Sequence, residues 1–64
     1  NKKLMRKYKF ELGATYKIIL ADQSERLFVF EGGSIASVKF LDDNTKCPIE
    51  NLPPHIDIVL VSKN

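Results

Sequence analysis

The stretch GATYKIILADQSERLFVFEGG, residues 13–33, sets the strongest limit on what this chain can fold into. Tyr16, Ile18 and Leu20 alternate with Lys17, Ile19 and Ala21. The run from Arg26 to Glu31 resumes the same period after the polar residues Asp22, Gln23, Ser24 and Glu25. A two-residue period is that of a strand, whose side chains point alternately to opposite faces. Asp and Ser bond their own backbone in tight turns, so residues 15–31 are expected to form a β-hairpin. Gly32 and Gly33 follow, and glycine takes positive φ at little cost, which predicts a second reversal there.

The pattern continues downstream. Ala36, Val38 and Phe40 alternate with Ser37 and Lys39, and Asp42-Asp43-Asn44-Thr45 supplies the next turn. Residues 46–54 contain three prolines, which have no N–H to give to a ladder, so a regular central strand is excluded. This span is expected to be an ordered connection that pins Ile49 and Leu52 against the core. The last strand runs from Ile56 to Ser62, with Ile56, Ile58 and Leu60 on one face. Upstream, Tyr8, Phe10 and Leu12 alternate with Lys9 and Glu11, which favours a strand over 8–12. Leu4, Tyr8 and Leu12 also fit a helical spacing, so helix stays an alternative for 1–12.

The expected fold is all-β: a small five-stranded antiparallel barrel or strongly curled sheet, residues 8–64, behind a short flexible or helical basic arm, residues 1–7. Ile18, Phe40 and Ile58 are expected in the core. Closure would dispose of exposed strand edges. Strand count and size are those of SH3-like and Sm-like barrels, an analogy of dimensions only. The Trp pair and acidic aromatic run of peptide-binding SH3 domains are absent from this sequence.

Several kinds of chemistry are poorly served. A chain of 64 residues buries only about 60% of its unfolded surface, which leaves little wall for a water-excluding active site. His55 is the only histidine, and nothing in the spacing of Ser34, Ser37 and Asp57 requires any of them to meet it. No nucleophile elbow is present. His55 is expected to face solvent in a loop. Cys47, the only cysteine, is expected to act as a small buried hydrophobe. One thiol and one imidazole fall short of a four-ligand zinc site. Asp42, Asp43 and Asn44 lack the alternating ligands of a calcium loop, and Gly32-Gly33-Ser34 lacks the lysine of a phosphate loop. The chain is therefore expected to be no enzyme, with no cofactor, no metal and no small-molecule substrate. A lone cysteine permits no internal disulfide, which favours a reducing, cytoplasmic setting. The apolar runs 18–21 and 58–61 are far shorter than the roughly 20 residues that span a bilayer, so no membrane partner is expected.

Two features carry a functional direction. The first is segregated charge. Lys2, Lys3, Arg6, Lys7 and Lys9 stand in the first nine residues without an acid, whereas residues 10–64 hold five basic against eight acidic groups. Cations near the aromatics Tyr8 and Phe10 are the ingredients of phosphate neutralisation and base stacking. Nucleic-acid contact through Lys2, Lys3, Arg6, Lys7, Tyr8, Lys9 and Phe10 is the first functional expectation. The second feature is apolar excess: Ile19, Leu27, Val29, Val59 and Val61 lie opposite the faces already assigned to the core. A lone sheet should be polar on its outer face. Either curvature or residues 46–54 cover these side chains, or they form a protein interface with another chain or a second copy. The alternative expectation is thus a protein-interaction or self-assembling regulatory or inhibitor module.

Overall fold

The structure of the chain, a computed structural model, describes residues 10–63. These residues form β1 (Thr15–Leu20), β2 (Glu25–Gly32), β3 (Ser37–Phe40), β4 (Lys46–Pro48) and β5 (His55–Ser62), with one 3₁₀ turn at Ile49–Asn51. All pairings are antiparallel, in the order β4-β3-β2-β1-β5. The sheet is not closed: β4 and β5 are its two edges.

The β1–β2 hairpin forms where the alternation requires it. Tyr16 lies opposite Phe28 and Ile18 opposite Arg26. At the turn, Gln23 N–H donates to the Leu20 carbonyl and Gln23 takes φ 73°. Asp22 Oδ1 accepts from the Ser24 amide at 3.0 Å and the Ser24 hydroxyl at 2.6 Å. The β3–β4 turn repeats this device. Asp43 Oδ1 accepts from the Thr45 amide at 3.0 Å and its hydroxyl at 2.7 Å, and Asn44 between them takes φ 62°. In each case a short acidic side chain satisfies turn amides that no strand reaches. Gly32 takes φ 74° at the bulge that ends β2, the reversal expected of the glycine pair.

Alternation also fills the core. Ala14, Tyr16, Ile18, Phe28, Val38 and Phe40 are buried on the inner face, with Phe10, Leu20, Phe30, Cys47, Ile49, Leu52 and Ile58 packed around them. Five aromatic rings form one connected cluster. Phe10 meets Tyr16 edge-on at 4.9 Å between ring centroids and stacks on Phe30 at 5.6 Å. Phe28 stacks on Tyr16 at 5.6 Å and meets Phe10 and Phe40 edge-on at 6.0 Å. The Tyr16 hydroxyl accepts from the Glu11 amide at 2.8 Å, so the one polar atom of the cluster is satisfied.

Four expectations need correction. Residues 10–12 are not a strand: the chain turns at Leu12 and Gly13, because the Phe10 ring folds onto Tyr16 and Phe30. Residues 8–9 lie outside the described residues. The fifth strand is instead β4, within the proline-bearing span. Pro48 is tolerated because β4 is an edge, where one side of the strand needs no donor. His55 is not in a loop but opens β5, half-buried, opposite Leu20. Ile56 does not share the face of Ile58, because a register shift between Ile19 and Leu20 takes it out of phase and leaves it exposed.

Of the expected core, Ile18 and Phe40 are buried, while Ile58 is half-buried against the cluster. Phe28, absent from that expectation, is fully buried and touches three other rings. Phe28→Ala is expected to cost about 3–5 kcal/mol, comparable to the whole stability of so small a domain. Phe40→Ala is expected to be similarly damaging, whereas Ile56→Ala should change little. Equilibrium urea denaturation of the three variants measures this order.

Candidate functional site

The outer face is built by the residues that alternate with the core. The pairings set Leu27 opposite Lys17 and Lys17 opposite Val59, so these three cross the sheet in one row. Val29 pairs with Thr15 and Lys39 in the next row, and Ile19 with Glu25 and Asp57 on the other side. Leu41 follows Phe40 and its amide donates to the Leu27 carbonyl at 2.9 Å, which brings both leucines to the same end. Ile19 and Val29 are half-buried; Leu27, Leu41, Val59 and Val61 are 41%, 42%, 41% and 52% exposed. Residues 46–54 do not cover this face: Ile49 and Leu52 pack against the core cluster. An open depression of about 450 Å³ lies here, lined by Lys17, Glu25, Arg26, Leu27, Leu41 and Asp42.

Charge around the depression is internally paired. Arg26 holds Asp42 with two contacts, Nε to Oδ2 at 2.9 Å and a terminal nitrogen to Oδ1 at 2.8 Å, and reaches Asp43 at 3.3 Å. Its guanidinium lies 3.9 Å above the Phe40 ring, closing that end of the aromatic cluster. Lys17 pairs with Glu25 at 3.6 Å, Lys46 with Glu31 at 3.5 Å, and Lys63 with Glu11 at 3.3 Å. Four of the five basic residues in 10–63 are thus engaged with carboxylates.

The hydrogen bonds from Arg26 hold the Asp42 carboxyl below the ordinary carboxylate value, and its positive charge adds to the effect. A lowered folded-state pKa stabilises the fold above the unfolded value and loses that contribution as pH falls through the folded value. Asp42→Asn is therefore expected to be less stable than wild type at neutral pH. The difference should begin to shrink below about pH 4, the unfolded carboxyl value, and close as pH falls through the lower folded value, where Asp42 itself becomes neutral. Thermal melts across the acidic range read the convergence; parallel curves would show that the pair does not stabilise the fold.

The residues considered for chemistry are dispersed. His55 Nδ1 is 2.8 Å from the Pro53 carbonyl, so it donates there. Cys47 is half-buried opposite Val38, and burial pushes its thiol up, away from the thiolate that nucleophilic attack requires. Among the described residues, no group of three or more His, Cys, Asp and Glu is placed to hold a metal ion. No helix among them is long and apolar enough to cross a membrane.

Of the residues expected to contact nucleic acid, Lys2, Lys3, Arg6, Lys7, Tyr8 and Lys9 lie outside the described residues. Phe10 is committed to the aromatic cluster. Leu41 and Leu60 are exposed apolar residues that the sequence analysis did not single out. Leu41 was legible as the position that alternates with Phe40; Leu60 was not, because its place in the pattern is that of a core residue. Compared with known proteins, the chain matches no family model, no curated sequence and no solved structure.

Proposed function

We propose that this chain is a non-enzymatic protein-interaction module, a curled sheet whose outer face receives another protein. One observation carries the proposal: Leu27, Leu41 and Val59 are exposed together on a domain whose own proline-bearing span packs elsewhere, while Val61, expected with them, stands at a second register shift of β5 and is out of the alternation. Single exposed apolar residues need no explanation, but several branched ones on the outer side of one sheet, Leu27 and Val59 flanking Lys17 with Leu41 beside Leu27, do. The flanking charges are paired with each other, which suits the rim of an interface with an apolar centre. The burial of Tyr16, Ile18, Phe28, Val38 and Phe40 on the inner face of a single sheet supports strong curvature.

Leu27→Lys and Leu41→Lys test this reading. Both side chains are exposed, so each variant should keep a cooperative melt, with stability changed by about 0.5 kcal/mol or less. Proteins from the native source retained by the wild-type domain should be lost on both variants. Identical retention by all three proteins would overturn the assignment of this face.

A second reading is favoured by charge segregation, five cations in residues 1–9 before a body of net −3. The pairing of the body's own cations leaves the arm as the part suited to phosphate. In this reading the arm binds nucleic acid mainly by releasing counterions. Neutralising Lys2, Lys3, Arg6 and Lys7 together should flatten the slope of log affinity against log salt by up to about 3–4 units. Fold stability should hardly change. A mobility-shift titration with single- and double-stranded DNA and RNA measures the slope; absence of binding by the intact chain at low salt would eliminate this reading.

A further inference from the structure

The two edges of the sheet are built differently. β4 has three residues, and Lys46 and Pro48 guard it as charge and proline guard natural edges. β5 has eight residues, and Ile56, Val59, Leu60 and Val61 are exposed along it. No strand among the described residues pairs with its free side.

The direction of the β5 backbone groups follows from the hydrogen bonds. The Leu20 amide donates to Ser24, on the β2 side, and the Ala21 amide to Pro54, on the β5 side. Alternation along β1 then gives Lys17 and Ile19 to β5, where they pair with Val59 and Asp57. Ile58 and Leu60 therefore direct their N–H and C=O groups to the open side. The Ile58 amide confirms this, since it donates to its neighbour Asp57 Oδ1 at 2.8 Å rather than to β1. Asp57 occupies one of the few donors on an otherwise unprotected edge.

We infer that β5 is a self-association edge: two copies of this chain pair β5 to β5, antiparallel, about a two-fold axis at Val59. This goes beyond the outer-face reading, since it uses a different surface of the domain, the free side of β5. The register is the one that uses both outward residues, with Ile58 of each copy hydrogen-bonded to Leu60 of the other. The two Val59 side chains then face each other on the outer side, and the two Asp57 carboxylates do not. Such an edge contact is self-complementary, as a two-fold interface requires. Asp57 acts as the competitor, because pairing requires its carboxylate to give up the Ile58 amide. A contact of this length is smaller than a standard interface, so the dimer is weak and concentration-dependent.

Sedimentation equilibrium of the full chain from about 5 to about 500 µM tests the inference in the range where weak pairing is visible. The wild type should pass from monomer to dimer. Asp57→Ala, which removes the competitor at both ends, should lower the dissociation constant about tenfold. Leu60→Pro should remain monomeric, because proline has no N–H to donate across the edge. Val59→Lys should also remain monomeric, by placing two like charges across the axis without altering the backbone. It stands in for Leu60→Pro should the latter fail to fold. A wild type and Asp57→Ala that are both monomeric throughout would overturn the inference, as would a dimer that survives Leu60→Pro or Val59→Lys. Leu27→Lys leaves this edge intact and should dimerise as the wild type does. Assembly lost in Leu27→Lys but kept in Leu60→Pro would overturn the edge and leave the outer-face module standing. Loss of partner retention in Leu27→Lys with a monomeric wild type would separate the two in the same way.

Discussion

The stacked and edge-on contacts of Phe28 with Tyr16, Phe10 and Phe40 are the interaction on which the remaining structure depends. Among the described residues the five-stranded sheet has no second layer to bury its inner face, so its own side chains must be large enough to fill the space beneath it. Aromatic residues bury the most area per position and gain further from offset and edge-on geometry. Phe28 and Tyr16 face each other across β1 and β2, Phe40 continues the row on β3, and Phe10 caps it from the entering chain. Arg26 closes the opposite end by lying over Phe40 while Asp42 and Asp43 hold its guanidinium. The turn acids and the aromatic core are therefore one construction, since the β3–β4 loop that carries Asp42 also anchors the cation above Phe40.

That construction consumes one face of the sheet and the 3₁₀ span, which adds Ile49 and Leu52 to the inner side. Nothing described is left to cover the outer face or the free side of β5. A domain this small has a high ratio of surface to volume and few residues to spare. Exposed Leu27, Leu41 and Val59 thus reflect where the covering residues were spent. The unequal protection of the two edges follows the same logic. β4 is short and ends in Pro48, whereas the length of β5 is required to cover β1, so its outer backbone groups are exposed as a consequence of building the core.

Legibility in the sequence followed the range of the interactions. The hairpin, the glycine reversal and the third strand could be read because their causes lie within a few residues: alternation, turn acids, glycine. The strand expected over 8–12, absent at the described residues 10–12, shows the limit. Phe10 and Leu12 do alternate with Glu11, yet Phe10 gains more by packing on Tyr16 and Phe30 than an extended segment would by pairing. β4 was hidden for the converse reason, since proline excludes a central strand and only the tertiary arrangement makes 46–48 an edge. The excess of outer-face apolar residues was visible as a pattern. Leu60 carries a core-phase signal but lies on an edge strand with no neighbour on its far side among the described residues.

By itself the sequence determined that the chain is all-β, where four of its strands and three of its turns lie, which residues of the first three strands share a face, and that its charge is divided between the first nine residues and the rest. These properties depend on side-chain period and on bonds that close over two to five residues. Only the tertiary structure decided that the sheet is open, that β5 is a long unguarded edge, that residues 46–54 serve the inner face, and that Arg26 bridges Phe40 and the β3–β4 turn. Each of these depends on which distant segments meet, and a two-residue alternation is equally satisfied by a closed barrel or an open sheet. The deciding quantity was the apolar area that the described residues cover, and it was sufficient for one face of the sheet.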